Sequence, residues 1–257
     1  MAQPKTERIA VVVGGASGIG WAVAQTLAAD GCRVTVADRN ADGVAQRATE
    51  LGPPHTGESV DVTDEAGVAT LFERVGPVDV VVNTAGYSGI GRITELAVED
   101  FRGVVDVCLT GAFIVAKHAG RHLRDGGSLV SVASLNARQA APGMSAYCAA
   151  KAGLAMLTQV AALEFAPRGI RVNAVSPGFV HTPLTEPVMQ MPAIVDDYLE
   201  NTPLGRFGTA QDVADAVLFL CSDKASWLTG EVLDLNGGAH LKRYPDVPAH
   251  LEKMMAP

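Results

Sequence analysis

Tyr147 and Lys151 stand four residues apart, a spacing that puts both side chains on one face of a helix, here one beginning near Ala146. A lysine ammonium beside a phenol favours the phenolate, so the pair reads as an acid/base unit able to take or give a proton. Ser134 precedes Tyr147 by thirteen residues, just past a valine-rich run at Ser128–Val132. A hydroxyl at the carboxyl end of a strand can hold a substrate carbonyl. Without the tyrosine it would read as a turn serine capping the next segment.

A second constellation suits a phosphate. Gly14-Gly15-Ala16-Ser17-Gly18-Ile19-Gly20 follows the apolar run Ile9–Val13 and opens a stretch of helical periodicity. Glycines at 14, 18 and 20 leave backbone N–H groups at a helix N-terminus open to a pyrophosphate, which predicts a dinucleotide site. The spacing is Gly-x-x-x-Gly-x-Gly, not the commoner Gly-x-Gly-x-x-Gly. Eighteen residues beyond Gly20, Asp38 closes the next apolar run. A carboxylate there accepts hydrogen bonds from a ribose 2′-hydroxyl and repels a 2′-phosphate, so NAD is expected, with NADP less favoured. Arg39 next to it softens that preference, and Asp38 is also placed to cap the following helix.

These residues need a scaffold that brings strand ends together. Valine- and isoleucine-rich runs at Ile9–Val13, Arg33–Ala37, Glu58–Val60, Val78–Val82, Ser128–Val132, Arg171–Ser176 and Val232–Leu235 read as buried strands separated by helical stretches. The alternation predicts an α/β fold: a doubly wound parallel sheet of about seven strands with helices on both faces, a Rossmann fold. With no repeat and no linker, residues 1–257 are expected to form a single dinucleotide-binding and catalytic domain. Proline-rich residues 177–208 form the largest irregular stretch, a lid-like substrate loop over about 183–208 or else a connector with a short amphipathic helix. Residues 239–257 form a tail without a reading.

Composition narrows the function. A net charge of -8 argues against nucleic-acid and anionic-membrane partners, and no run approaches the ~18 apolar residues of a membrane span. The apolar run Ile9–Val13 is too short for a signal peptide, so a cytoplasmic location is expected. Cys32, Cys108, Cys148 and Cys221 are scattered without a Cys-x-x-Cys pair, as reduced buried thiols would be, and no metal site is expected. His118 and His122 are also four apart but have no third ligand, and read as an exposed or interface pair.

Taken together, these motifs make the chain resemble the short-chain dehydrogenase/reductase family from about Arg8 to Gly238. The family's glycine turn is similar to Gly14–Gly20, which carries Ser17 and Ile19. Its adenine-contacting Asp-Val pair is similar to Asp61-Val62, and its Asn-Asn-Ala-Gly turn to Asn83-Thr84-Ala85-Gly86. The Ser, Tyr-x-x-x-Lys set matches Ser134, Tyr147 and Lys151. The Pro-Gly motif matches Pro177-Gly178, with Val180 among the cofactor contacts and Thr182 where the nicotinamide carboxamide is usually met.

The resemblance implies hydride transfer between nicotinamide and a secondary alcohol or ketone, with Tyr147 exchanging the proton. Lys151 would bind the nicotinamide ribose, and Ser134 would orient the carbonyl oxygen. It also implies a homotetramer built on the long helices flanking the fifth strand. Asn136, Arg138 and Met144 fall in the stretch that lines the family's substrate pocket, Arg138 either binding a carboxylate or solvated at the surface. The apolar residues of the 177–208 stretch favour a partly hydrophobic small-molecule substrate. Two other functions fit the same residues: an NADPH-dependent 3-oxoacyl reductase, and a dinucleotide-binding sensor or scaffold with weak activity. One departure bears on rate. Cys108 stands where the family's asparagine holds a water linking the active-site lysine to solvent, and a thiol is a poor hydrogen-bonding substitute. Proton transfer in an active but impaired or rerouted relay is the expectation; Val13 and Thr84 are departures of a structural kind.

Overall fold

In the computed structural model, which describes residues 7–255, the apolar runs become strands and the periodic stretches become helices. In chain order they are β1 (Arg8–Val13), α1 (Gly18–Ala29), β2 (Cys32–Asp38), α2 (Ala41–Leu51), β3 (Thr56–Ser59), α3 (Glu65–Val75) and β4 (Val78–Asn83). Then come α4 (Val98–Val105), a π turn over Asp106–Thr110, α5 (Gly111–His122), β5 (Leu123–Val132) and α6 (Ser145–Phe165). The remainder is β6 (Arg171–Pro177), β7 (Val180–His181), α7 (Glu186–Met189), α8 (Pro192–Glu200), β8 (Gly208–Thr209), α9 (Ala210–Leu220), β9 (Val232–Leu235) and α10 (Val247–Met255).

Seven strands form one parallel sheet in the order β3-β2-β1-β4-β5-β6-β9. All seven expected strands are present. The fifth begins five residues earlier than its apolar run, because Leu123 pairs with Val78 before a register irregularity. Both faces are apolar, as period-two alternation in a doubly covered sheet requires. Val12, Val34 and Val130 pack with Leu27 of α1 and Val217 of α9 on one face. Val11, Val13, Val81 and Leu129 pack with Phe72 of α3, Val115 of α5 and Ala161 of α6 on the other. Each such fully buried side chain contributes about 1.5–3 kcal/mol. The strand order reverses between β1 and β4, and the crevice at their carboxyl ends is where such sheets bind ligands.

Three expectations change. First, two helical segments, Val98–His122 and Ser145–Arg168, have the length and mean hydropathy of a membrane span, which the lack of a continuous apolar run does not reveal because charged residues interrupt both. Their inner faces cover the sheet, while Phe113, Met156, Val160 and Leu163 remain exposed. Second, residues 177–208 are more regular than their prolines indicated. They hold the short parallel pair β7–β8 and two helices, because Pro187 and Pro192 sit in the first turns of α7 and α8, where a missing N–H costs nothing. Third, His118 is buried, not exposed: α5 packs on α3, placing His118 Nε2 3.4 Å from Glu65 Oε1. The four cysteines are free; Cys32, Cys108 and Cys221 are buried and Cys148 half-buried, and burial pushes the Cys221 thiol up to about 12.

Candidate active site

The crevice begins at the glycine turn. The Gly14 and Gly15 N–H groups donate to Ala37 O at 2.8 and 3.0 Å, tying the end of β1 to β2. A Cβ on Gly20 would stand 2.1 Å from Gly14 O and 2.5 Å from Thr84 Oγ1, so only glycine lets α1 approach this closely. Thr84 Oγ1 lies 2.8 Å from Val13 O and 3.0 Å from Gly14 O, clamping the turn to β4. That gives Thr84 a structural role, as expected. Ser17 is the N-cap residue of α1 but makes no side-chain capping bond.

A cleft of about 120 Å³ continues from this turn, lined by Asp38, Asp61, Val62, Ala85 and Gly86, with Arg39 beside Asp38. Asp38 accepts from Ala16 N at 3.2 Å and Asn40 N at 3.0 Å, while Asn40, not Asp38, caps α2. Its two oxygens keep lone pairs for a further donor. Bonds from the Thr63 N–H and hydroxyl hold the Asp61 carboxyl below the usual carboxylate range. Asn83 spends Oδ1 on Ala85 N, 3.2 Å away, folding the turn after β4. Open N–H groups at a helix start, glycine clearance and an acid at the end of β2 fit a dinucleotide.

Farther along, α6 carries Tyr147 in its first turn and Lys151 one turn later, with Nζ 5.5 Å from the phenol ring centroid. Lys151 is only 3% exposed, and its Nζ donates to Val132 O at 2.8 Å. Gly86 makes this possible: a Cβ there would come within 3.3 Å of both Lys151 Nζ and Cys108 Sγ. Cys108, in the π turn, donates to Tyr87 O at 3.3 Å. Ser134 accepts from Asn136 N at 3.2 Å and lies 3.4 Å from Asn136 Oδ1, capping a short helical turn at Leu135–Ala137. It therefore caps a turn and faces the crevice at once.

Ser134, Asn136, Met144 and Tyr147 line one side of a cleft of about 190 Å³, and Ile19, Pro177, Gly178, Val180 and Thr182 line the side nearest the glycine turn. Leu184 and Val188 come from the 177–208 stretch. Arg138 does not reach this cleft; it is more than half exposed and paired with Asp234 of β9. Several lining residues escaped sequence reasoning, among them Ser88 and Ile90 after β4, Tyr198 of α8, and Tyr244 and Val247 from the tail. None lies in a motif, and no periodicity links positions 198 and 244 to Ser134. Desolvation pushes both the Tyr198 and Tyr244 phenols up, Tyr244 well above the ordinary range. Among the described residues, no charged side chain lines this cleft.

A doubly wound sheet with a glycine-lined crevice and a Ser, Tyr, Lys set at its carboxyl edge defines a dinucleotide-dependent enzyme. Comparison with known proteins places it more narrowly. The family described as enoyl-(acyl carrier protein) reductase matches residues 14–240. The chain is 41% identical over 248 residues to cis-4-hydroxycyclohexanecarboxylate dehydrogenase of Sinomonas cyclohexanicum, covering 93% of this chain and 98% of that one. It is 35% identical over 244 residues to the 3-oxoacyl-[acyl-carrier-protein] reductase FabG of Escherichia coli, covering 91% and 98%. Its fold matches a short-chain type dehydrogenase/reductase from Mycobacterium ulcerans with a TM-score of 0.93 at 37% identity, over 96% and 95% of the two chains. The chain belongs to the short-chain dehydrogenase/reductase family, whose members are oxidoreductases using nicotinamide cofactors.

Proposed function

We propose that this enzyme interconverts a compact, partly hydrophobic secondary alcohol and its ketone with NAD(H), using Tyr147 as acid/base. The observation that carries this reading is the Tyr147 phenol on the wall of the apolar cleft, with buried Lys151 behind it and Ser134 beside it. When bound, the nicotinamide supplies hydride acceptance or donation. Tyr147 takes the proton from the substrate hydroxyl during oxidation and returns it during reduction. Lys151, anchored on Val132 O, favours the phenolate and is placed to meet the nicotinamide ribose. Ser134 exchanges its long contact to Asn136 Oδ1 for the substrate oxygen. Cys108 commits its thiol to Tyr87 O, so the proton path from Lys151 to solvent is impaired or rerouted.

Asp38, with lone pairs remaining beside the turn, supports NAD over NADP. For the cofactor as a whole we assign Gly14, Ser17, Gly18, Ile19, Gly20, Asp38, Asp61, Val62, Asn83, Ala85, Gly86, Pro177, Gly178, Val180 and Thr182. The substrate reading rests on size. A dry cavity of about 150 Å³ holds a benzene ring, and the cleft of about 190 Å³ takes the nicotinamide along its Thr182 side as well as the substrate, which favours a compact one. The similar enzyme from Sinomonas is named for a hydroxycyclohexanecarboxylate, which makes alicyclic alcohols the first class to assay. Likeness to FabG favours a second reading, an NADPH-dependent 3-oxoacyl reductase. Exposed Phe113 on α5 and Met156, Val160 and Leu163 on α6 support a homotetramer, which sedimentation would verify.

The deciding experiment is a panel of alicyclic secondary alcohols and 3-oxoacyl thioesters assayed with both cofactors. Alcohol oxidation with NAD⁺ well above NADP⁺ is the expected result. Preferential thioester reduction with NADPH would establish the second reading, and cofactor binding with no turnover would point to a sensor or scaffold.

A further inference from the structure

Tyr198 and Tyr244 meet at the wall of the substrate cleft with their hydroxyl oxygens 3.0 Å apart. Their rings pack edge to face, and Tyr198 also packs against Phe179. The two phenols bring two O–H donors, yet the pair offers only one internal acceptance. When Tyr198 donates within the pair, the remaining O–H is that of Tyr244, directed at Met144 Sδ at 3.7 Å, and a thioether accepts weakly; when Tyr244 donates, the spare O–H is on Tyr198. The Asn136 amide beside Tyr244 is engaged elsewhere, Nδ2 on Gln139 O at 3.2 Å and Oδ1 3.4 Å from Ser134 Oγ. Whichever way the pair is arranged, one of the two hydroxyls keeps a proton for which the wall of the cleft supplies no strong acceptor. An unsatisfied donor in an apolar cleft is costly unless something else completes it.

The segment carrying Tyr244 is firmly placed. Gln139 Nε2 donates to Lys242 O, Arg243 pairs with Asp197, and His250 Nε2 lies 2.8 Å from Asp197 Oδ2. The under-satisfied hydroxyl therefore does not arise from a frayed tail. Moreover, the cleft has no cation among the described residues that line it; Arg138, the one arginine in the neighbouring loop, is spent on Asp234. A carboxylate brought into this space would lose its hydration and gain no counter-charge from the side chains that line it. An uncharged oxygen would lose far less and would give the free hydroxyl its acceptor.

We propose that Tyr244, oriented by Tyr198, is a specificity-determining residue that donates a hydrogen bond to a second, uncharged oxygen of the substrate. The substrate class is then a compact alicyclic alcohol or ketone bearing a neutral oxygen substituent, with carboxylates excluded. This rests on the secondary-alcohol reading above and names its substrate more closely. It also separates this chain from the similar Sinomonas enzyme, whose name specifies a carboxylate.

The test uses the full-length enzyme with NAD⁺ and three cyclohexanols substituted at C4 by hydroxymethyl, methyl or carboxylate. The hydroxymethyl alcohol should have the highest kcat/KM, about tenfold above methyl, and the carboxylate the lowest. In Tyr244→Phe the hydroxymethyl-to-methyl ratio of kcat/KM should fall from about tenfold to near one, with the change carried by KM for the hydroxymethyl alcohol. Tyr198→Phe, which leaves the Tyr244 ring in place, should reduce the advantage in part. Calorimetric binding of the matching ketones to the enzyme–NADH complex gives a second measure independent of turnover. A carboxylate preference, or an equal loss for all three alcohols in Tyr244→Phe, would overturn the assignment. If no alcohol is oxidised, the secondary-alcohol reading fails instead. The calorimetric ranking then still decides whether Tyr244 selects a neutral oxygen.

Discussion

At the glycine turn the clearances are set by main chain: a side chain on Gly20 would strike Gly14 O at 2.1 Å, and Gly14 and Gly18 have φ of +77° and +51°. At the substrate cleft, some distance along the same crevice, the walls are side chains drawn from β5, α6, the 177–208 stretch and the tail. The first region needs particular residue types inside a seven-residue window. The second needs particular shapes delivered by segments more than a hundred residues apart, such as Asn136 and Tyr244. A backbone-built site tolerates almost no substitution and serves one ligand class. A side-chain-built site leaves the scaffold intact while its walls change, so relatives of this fold are named for different substrates.

The difference can be broken most severely at the junction of the two regions. Tyr147→Phe removes the proton-exchanging hydroxyl without altering volume, and kcat should fall by about a thousandfold or more, while NADH affinity stays within a few-fold of wild type. Residual turnover above a tenth of wild type would remove Tyr147 as the acid/base. In the backbone-built region, Gly20→Ala should cost about 3 kcal/mol or the fold itself, and at least tenfold in NADH affinity, by pushing α1 off the turn. Thermal melting and fluorescence titration of NADH would show both losses. Normal binding in a stable Gly20→Ala protein would mean that the turn is less tightly built than its contacts require.

The same contrast explains what could be read from residues alone. The inner sheet strands were legible because a parallel strand covered on both faces must be apolar without interruption, and valine runs say so directly, whereas the polar edge strand β3, Thr56–Ser59, overlaps its expected run only at Glu58 and Ser59. The glycine turn and Tyr147-Lys151 were legible because each is a local spacing. Between the two readings of Arg138 no local pattern could choose, because the choice lies with Asp234, a partner ninety-six residues away that holds it at the surface. Pro187 and Pro192 misled because proline breaks a helix interior yet suits its first turn. Tyr198 and Tyr244 were invisible: their meaning lies in a 3.0 Å contact across forty-six residues.

The tail offers a gentler test of the side-chain-built region. Asp197 is 8% exposed; burial alone would raise its pKa, but bonds from Arg243 and His250 outweigh that and hold the carboxyl below the usual range. A depressed folded-state value means that this stabilisation is complete above the ordinary carboxylate range and is lost as pH falls through the folded value. Asp197→Asn should therefore cost about 1–3 kcal/mol near neutrality, with the gap to wild type closing below about pH 4. Because Tyr244 and Val247 are carried by the strap that Asp197 fastens, KM for the alcohol should rise while NADH affinity does not. A matching loss of NADH affinity would show that the two regions are not separable.

The smallest effect is expected where the regions touch through Lys151. Cys108 is fully buried, and its thiol and the Lys151 ammonium share the space that Gly86 leaves open. An amide at 108 offers both a donor and an acceptor where the thiol offers a weak donor already used on Tyr87 O. Cys108→Asn should raise kcat by a modest factor and shift its pH profile, since a better-connected lysine passes the proton with less delay. The larger side chain also risks overpacking, at about 1–3 kcal/mol, so Cys108→Ser, close to the thiol in size, belongs beside it. A gain in kcat with altered pH dependence in either variant would mark Cys108 as a brake on proton transfer. Unchanged turnover and pH profile in both folded variants would show that protons leave Lys151 by a path that never passes this position.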